Sequence, residues 1–351
     1  MAEKIKKITG MRLFMPIVCL FIVLLVNVIR TPDFFNITLK DGQLSGWLID
    51  VINRGSELVI LAIGMTLVTA ASGGQDISVG AVMAVAAAVC CQILSGGEVS
   101  TNTLAAPIII AAIAGILVAA LCGAFNGFLV AKLSIQPMVA TLILFTAGRG
   151  IAQLVTQGQI TYVRVESYKA MGGFLGPIPT PVIFAVAAVI VAYLVLNKTA
   201  LGMYIESVGI NSHASRLIGL NSTRIKFLTY VICGALAGLA GIVASSRIYS
   251  ADANNIGLNL EMDAILAVAL GGNILSGGKF SLMGSVIGAY TIQALTTTLY
   301  AMSVPSDQLP VYKAIVVIII VVLQSPVYKK AMQNYKAKRQ SKKAVVQGGE
   351  Q

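Results

Sequence analysis

The sequence predicts an all-α fold, a polytopic membrane helix bundle with about ten transmembrane helices and with both termini in the cytoplasm. Composition is the first observation, because 57% of the 351 residues are hydrophobic and only 11% are charged, against about 25% charged in soluble domains. The second is that apolar residues fall in long runs, which suit helices across a hydrocarbon core of ~30 Å. The third is an uneven distribution of basic residues between alternate loops. These features indicate an integral membrane protein.

Ten apolar runs are candidate spans, judged against the ~20 residues that a spanning helix needs. In chain order, they are 13–29, 58–72, 79–95, 106–131, 137–156, 180–197, 227–246, 262–273, 282–300 and 311–326. The first run lacks a small-residue cleavage site, which predicts a retained anchor. The spans form a transmembrane domain, 13–326, between basic tails at 1–12 and 327–351.

The distribution of charge predicts the orientation. With the N-terminus inside, 17 of the 25 basic residues lie inside and ten of the 14 acidic residues lie outside. The net charge is then +13 inside and −2 outside, as the positive-inside rule requires. The basic C-terminal tail follows a span directly, so contact with anionic lipid explains it better than nucleic-acid binding.

The segment SGGQDISVG separates two apolar runs with a carboxylate, an amide, two hydroxyls and three glycines. Its glycines let the chain leave a helix and turn, and Asp76 or Ser78 can cap the next helix. Alternatively, its polar residues form a constriction or anchor a moving helix, and both roles are compatible. Five residues are candidates for this gate or for the lining of a translocation path: Gly73, Gly74, Gln75, Asp76 and Ser78.

Two predicted spans are short and end in glycine-rich loops. The runs 58–72 and 262–273 cover only ~22 and ~18 Å at 1.5 Å per residue. Glycine-interrupted short segments in both halves of a transporter point to the substrate path. The second loop, GGNILSGGKFS, departs from a phosphate-binding loop, because Asn273 takes the place of the first glycine and Phe280 follows Lys279. We therefore expect no ATP site in this chain.

The longest polar stretch between spans is 197–227, which the charge distribution places in the cytoplasm. Asn211 or Ser212 can cap a short helix there, and Gly219 is well placed to end it. Its apolar face is formed by Ala214, Leu217 and Ile218, spaced i, i+3 and i+4. Such a short helix is marginal alone. It rests on the membrane or on its own bundle, or it docks into a groove of another protein.

Four motifs in order resemble the permease subunits of ribose-type sugar ABC importers. They are GGQDISVG, GAFNGFLVAKLSIQPMVATL, ESVGINSHASRLIGL and GLNLEMDAILAVALGGNILSGGKFSLMGSVIGA, and they cover most of residues 60–295. Gln75, Ser215 and the Lys279–Phe280 pair depart from the family pattern. These departures leave the sugar open between pentoses, hexoses and sugar-like signals, with nucleosides as a further option.

The resemblance implies a transport subunit and not an enzyme, in the bacterial plasma membrane. Two permease copies or paralogues would form the pathway for a monosaccharide, which an extracytoplasmic binding protein delivers. Cytoplasmic ABC ATPase subunits would hold ATP and Mg²⁺, so this chain needs no cofactor of its own. The family's docking element corresponds here to Gly209, Asn211, Ala214 and Gly219, to which the apolar face adds Leu217 and Ile218.

Amide side chains within spans are candidates for the pathway lining, because a neutral sugar suits amides better than charges. They are Asn126, Gln153, Asn273 and Gln293, although some can simply tie helices together. Glycines spaced four apart, at 123 and 127 and at 234 and 238, indicate close helix contacts. That packing is static, or it provides a sliding interface.

Three other classes of protein fit less well. An ion-driven secondary transporter usually has ionisable residues within spans, and only Asp76, Asp263 and Arg149 come near. A membrane enzyme is disfavoured because the single histidine, His213, lies in a predicted loop. A passive channel would predict uptake that survives the loss of any ATPase.

The five cysteines fall inside apolar runs, where a role as small apolar packing residues explains them.

Overall fold

The computed structural model describes residues 13–40 and 42–324, and almost all of its regular structure is helical. The α-helices are α1 (Phe14–Arg30), α2 (Trp47–Ser72), α3 (Val79–Ser95), α4 (Ile108–Ala131), α5 (Pro137–Val155), α6 (Glu166–Lys169), α7 (Thr180–Lys198), α8 (Leu201–Ile210), α9 (Ser212–Leu217), α10 (Ser222–Arg247), α11 (Leu260–Leu270), α12 (Leu282–Ala301) and α13 (Leu309–Gln324). The two predicted basic tails, 1–12 and 327–351, lie outside the described residues.

Each of the ten predicted spans coincides with a helix, within a few residues at most boundaries. Five of these helices, namely α2, α4, α5, α7 and α10, are long and apolar enough to cross a membrane. The chain is thus a multi-pass membrane protein. The count of ten spans and the orientation of the termini stay predictions. Helix α13 belongs to a second compact unit that begins at Ser303.

The prediction of a short second span at 58–72 is wrong. Helix α2 begins at Trp47 and has 26 residues, which gives a length of ~39 Å at 1.5 Å per residue. Polar side chains in its first turns obscured this part of the helix, and Glu57 among them pairs with Arg247 of α10. By contrast, α11 has only 11 residues, so the prediction of a short segment there is confirmed.

Helix α2 lies at the centre of the first unit. In its apolar window 94% of residues are buried, against 17% for α7 and 28% each for α4 and α5. It contacts α7, α10, α11 and α12. The peripheral helices expose large apolar side chains, which is the surface that lipid covers.

Short strands connect the loops at one end of the bundle, called the strand end below. The loops after α3, α5 and α10 contribute β3 (Ser100–Thr101), β4 (Thr161–Val163) and β7 (Ser250–Ala251), in the order β3-β4-β7. Strand β4 is parallel to β3, with Ser100 opposite Tyr162, and antiparallel to β7, with Tyr162 opposite Ser250. Two antiparallel hairpins are formed by β1 (Thr38–Lys40) with β2 (Gln43–Ser45) and by β5 (Phe174–Leu175) with β6 (Ile178–Pro179).

Glycines bring α4 and α10 into direct backbone contact, as their spacing predicts. A Cβ atom on Gly123 would lie 2.3 Å from the carbonyl oxygen of Tyr230, and one on Gly234 would lie 2.4 Å from that of Ala119. Helix α10 approaches α3 in the same way, because a Cβ atom on Gly241 would lie 2.3 Å from the carbonyl oxygen of Met83. Whether the α4–α10 interface slides during transport stays a prediction.

Replacing Gly123 by alanine is expected to destabilise the bundle by about 1–3 kcal/mol, because the added methyl group forces two helix backbones apart. Gly150 of α5 is the matched control, since a Cβ atom there would meet no atom within 4 Å. Thermal unfolding of the purified variants should show a lower midpoint for Gly123→Ala and little change for Gly150→Ala. Equal midpoints for the two variants would contradict the close packing.

Candidate coupling and translocation sites

The turn after α2 depends on its first two glycines. Gly73 has a left-handed φ of +68°, and its N–H donates to the carbonyl oxygen of Thr69 at 3.0 Å. A Cβ atom on Gly73 would lie 2.8 Å from the carbonyl oxygen of Ser276, and one on Gly74 would lie 2.5 Å from the Pro137 side chain. The turn is therefore packed against both the loop 271–281 and the start of α5.

Asp76 links this turn to α3 and α4. It is 2% exposed, and its Oδ1 accepts from the backbone N–H of Ser78 at 2.9 Å and from the Ser78 hydroxyl at 2.6 Å. The Asn126 amide donates to Ser78 Oγ at 2.8 Å and lies 3.4 Å from Asp76 Oδ1. Burial raises the pKa of Asp76, and the hydrogen bonds from Ser78 and Asn126 oppose this shift. The prediction that Asp76 or Ser78 caps α3 is wrong, because neither side chain accepts from a backbone N–H of the helix; Asp76 bonds instead to Ser78, the residue before the first turn.

Asn273 links α11 to α12. Its Oδ1 accepts from the N–H of Ser281 at 2.6 Å, and its Nδ2 donates to Ser285 Oγ at 2.8 Å. Thr66 of α2 donates to the same Ser285 oxygen at 2.6 Å. These bonds fix the glycine-rich loop between α11 and α12 against the central helix α2. They also use both the oxygen and the nitrogen of the Asn273 amide for contacts within the protein.

The three glutamines predicted to line a path lie apart from one another. Gln75 is half-buried and donates to the carbonyl oxygen of Leu275 at 3.3 Å, and half-buried Gln293 donates to Thr297 Oγ1 at 3.2 Å. Gln153 is exposed and donates to Asn254 Oδ1 at 2.6 Å. The predicted path residues therefore form two groups. Asp76, Asn126 and Asn273 are buried and link helices, whereas the three glutamines are half-buried or exposed. The role of both groups in transport stays a prediction.

A polar cavity of about 360 Å³ near the start of α2 was not predicted from the sequence. Its charged lining residues are Asp50, Arg54, Glu166, Lys169 and Arg247. The pKa of Lys169 is raised, mainly by a hydrogen bond with Tyr249 and further by Glu166. The charged residues between the hairpin β1–β2 and residue 58 were the sequence signal that could have predicted this cavity. They indicate that the helix α2 begins in a polar environment.

Between α7 and α10, the segment 197–227 forms two short helices, α8 and α9. Asn211 caps α9, because its Oδ1 accepts from the N–H groups of His213 and Ala214, each at 3.0 Å. Ser212 was the alternative cap, but its hydroxyl donates to the carbonyl oxygen of Val208. Gly219 has a φ of +87°, which confirms its predicted position at the end of the helix.

The apolar face of α9 is exposed. Leu217 is 89% exposed and Ile218 is 75% exposed, and Ala214 beside them is exposed as well. The helix is nevertheless fixed to the bundle, because Arg216 donates from Nε to Ser222 Oγ at 2.6 Å. The face formed by Ala214, Leu217 and Ile218 is called the α9 face below. It offers apolar area on a rigid support, as a docking surface requires.

Gly209, predicted to be part of the same docking element, faces the bundle. A Cβ atom there would overlap the carbonyl oxygen of Ala70 at 1.8 Å and lie 2.6 Å from the nitrogen of Gly278. The N–H of Gly278 also donates to that Ala70 oxygen at 2.9 Å. Gly209 therefore connects the segment 197–227 to the end of α2 and to the loop 271–281.

A multi-pass helix bundle that presents a short helix with an exposed apolar face fits a membrane transport component. Residues 47–324 match the family described as the permease component of the branched-chain amino acid transport system. The chain belongs to this permease family, and the resemblance to ABC importer permeases is confirmed.

Similar proteins are named as permeases of sugar transporters and importers. The chain is 47% identical over 310 residues to the galactofuranose transporter permease protein YtfT of Escherichia coli K12, covering 88% of each chain. It is 39% identical over 342 residues to the fructose import permease protein FruF of Bifidobacterium longum, covering 95% of this chain and 94% of that one. It is 33% identical over 314 residues to the ribose import permease protein RbsC of E. coli K12, covering 88% and 92%. These relatives confirm a transport subunit in place of an enzyme.

Proposed function

We propose that this chain is the membrane-spanning subunit of a monosaccharide ABC importer in the bacterial inner membrane. Relatives named for galactofuranose, fructose and ribose support a pentose or hexose as the cargo. The rest of the proposal rests on the α9 face, because an exposed apolar face on a helix fixed to the bundle suits docking of a cytoplasmic ATPase subunit. That partner supplies the ATP and Mg²⁺ site, and an extracytoplasmic binding protein delivers the sugar.

Energy would pass from the ATPase to the bundle through rigid contacts. Closure of the nucleotide-bound ATPase pair moves the docked α9 helices, and Gly209 transmits this motion to the end of α2 and to the loop 271–281. The bundle then alternates between two accessible states as a rigid-body transition. Nucleotide binding shifts this equilibrium only by its differential affinity for the two states.

The pathway for the sugar would lie between two permease copies or paralogues. Gln153 of α5 is exposed although α5 is one of the long apolar helices. Nearby, half-buried Arg149 donates to the carbonyl oxygens of Ala253 and Ile256 at 2.9 and 2.6 Å. Polar groups on a spanning helix face a bundle interior or a water-filled cavity, so this side of α5 is better placed towards a second subunit than towards lipid.

The test of the whole proposal is uptake by proteoliposomes that contain the permease, its ATPase and its binding protein. ATP supplied on the side of the membrane where the ATPase is bound should drive accumulation of radiolabelled sugar. A panel of galactofuranose, fructose and ribose would identify the cargo. A proton or sodium gradient without ATP should drive none. Accumulation by the permease alone under an ion gradient would establish the secondary transporter instead.

Replacing Gln153 by alanine is expected to lower sugar uptake about five-fold, because one hydrogen bond to a neutral hydroxyl contributes about 1 kcal/mol. Leu154, the neighbouring residue and 79% exposed, is the matched control as Leu154→Ala. Initial uptake rates at several sugar concentrations would check this, together with the ATPase rate of the same complexes. Equal uptake by both variants would remove Gln153 from the path.

A further inference from the structure

A basic cleft lies between the C-terminal end of α4 and the N-terminal end of α10. It has a volume of about 420 Å³ and is lined by Phe128, Ala131, Lys132, Asn221, Thr223, Arg224 and Phe227. Lys132 and Arg224 are exposed, and the lining contains no acidic side chain. Among residues 13–40 and 42–324, no carboxylate lies within 4.0 Å of the Lys132 or Arg224 cation. Neither cation of the cleft is therefore neutralised by a carboxylate.

The surroundings of the cleft combine positive charge with an apolar wall. Lys132 Nζ lies 5.5 Å from the centroid of the Phe128 ring, and the half-buried ring of Phe227 forms part of the lining. A third cation lies close by, because Arg216 Nη2 donates to Thr223 Oγ1 at 3.2 Å. The cleft opens at the ends of two long apolar helices, α4 and α10, and the ends of spanning helices are where lipid headgroups are expected.

We propose that this cleft binds the headgroup of an anionic phospholipid, with the phosphate between Lys132 and Arg224 and the glycerol end of the acyl chains against Phe128 and Phe227. Basic pockets between helix ends at the membrane surface attract anionic lipid, and arginine matches phosphate geometry in two parallel hydrogen bonds. Zwitterionic lipids are disfavoured, because their own cation would face the same two positive groups. The site adjoins Asn221 and Arg216, so bound lipid would also brace the base of the coupling segment.

The single tryptophan of the chain makes the site measurable. Trp47 begins α2, at the strand end, so Trp47→Phe with Phe227→Trp moves the only indole into the cleft. The full-length permease would be reconstituted in mixtures of phosphatidylcholine with brominated phosphatidylglycerol, which quenches nearby indoles. We expect selective quenching by the anionic lipid for the Phe227→Trp reporter, and no comparable selectivity for the unaltered protein with Trp47 at the opposite end.

Charge removal tests the two cations. Lys132→Ala and Arg224→Ala should each lower the preference for phosphatidylglycerol about five-fold, and their combination about 25-fold. The charge-conserving Lys132→Arg should retain the preference. Lys198→Ala is the matched control, because Lys198 is also exposed at the end of a spanning helix and lies outside the cleft lining.

Three outcomes would overturn the proposal. Equal selectivity in the double alanine variant would show that the cations do not hold the lipid. Loss of the effect on adding inorganic phosphate at millimolar concentration would identify a free-phosphate site. Absent lipid selectivity, combined with weaker co-purification of the ATPase in the double variant, would identify a protein contact. The first two results do not bear on whether the α9 face couples transport to ATP, and the third would add the cleft to the ATPase contact without removing the α9 face from it, so the lipid site and the proposed function can fail separately.

Discussion

Replacing Leu217 by aspartate is expected to weaken ATPase binding about 100-fold and to abolish ATP-driven uptake, while the permease still inserts. Leu217 is 89% exposed in the free chain, so the substitution removes no internal packing. In a docked complex the leucine would be buried, and well-packed apolar anchors contribute about 2–4 kcal/mol to such interfaces. An aspartate in the same place would bury an unpaired carboxylate, which is costly. Co-purification of the ATPase and sugar uptake by proteoliposomes would measure the two effects.

The matched control for this experiment is Leu175→Asp. Leu175 is 66% exposed and lies in the β5–β6 hairpin, which precedes α7, whereas the segment 197–227 follows the opposite end of that helix. Its replacement should leave the permease–ATPase complex intact. If Leu217→Asp retains full uptake and full ATPase binding, the α9 face is not the docking surface, and the helix rests on the membrane.

Gly219 offers a second test of the same face without adding a contact. Its φ is +87°, yet a Cβ atom on it would meet nothing within 4 Å. Alanine there introduces only backbone strain, of about 1–2 kcal/mol in the left-handed region, and disturbs the end of α9. Gly219→Ala should therefore reduce coupling moderately, and a bulky β-branched residue should reduce it further.

Local features of the chain were predictable because their causes lie within a few residues. The cap at Asn211 and the left-handed Gly219 follow from capping chemistry and from the short apolar pattern between them. The glycine contacts of α4 and α10 follow from spacing alone, since a spacing of four places both glycines on one helix face. The ten apolar runs predicted the helices for the same reason, because the residues of each run determine the helix that the run forms.

Features that depend on distant partners could not be predicted. The start of α2 at Trp47 was hidden because Glu57 reads as a polar break in the sequence, and its partner Arg247 is 190 residues away. Gly209 was predicted as part of an exposed docking element, but the contact with Ala70 arises only when α8 packs on α2. Likewise, an amide within a span can face a path or a neighbouring helix, and the sequence does not distinguish these cases.

Removing the Arg247 guanidinium is expected to cause the largest loss of stability at the strand end. Arg247 Nη2 lies 2.9 Å from Glu57 Oε1, and the two side chains are only 21% and 10% exposed. The same Nη2 lies 3.2 Å from Asn53 Oδ1. Arg247→Ala leaves the Glu57 carboxylate buried without its counter-charge, which destabilises proteins by about 3–5 kcal/mol. Thermal unfolding of the purified permease should show a clearly lower midpoint, and expression in the membrane should fall with it.

Two further variants separate the ion pair from simple packing. Arg54→Ala changes an exposed arginine one turn before Glu57 on the same helix, and it should leave the unfolding midpoint nearly unchanged. The double variant Glu57→Met with Arg247→Met replaces both charges by flexible apolar chains, and it should recover most of the lost stability because no buried charge is left unpaired. If the double variant is as unstable as Arg247→Ala, the loss comes from the missing contacts of the arginine side chain, and the pairing with Glu57 contributes little. Recovery in the double variant would instead show that Arg247 stabilises this end of α2 and α10 mainly by neutralising Glu57. This neutralisation would explain why the central helix α2 tolerates a carboxylate three turns from its start.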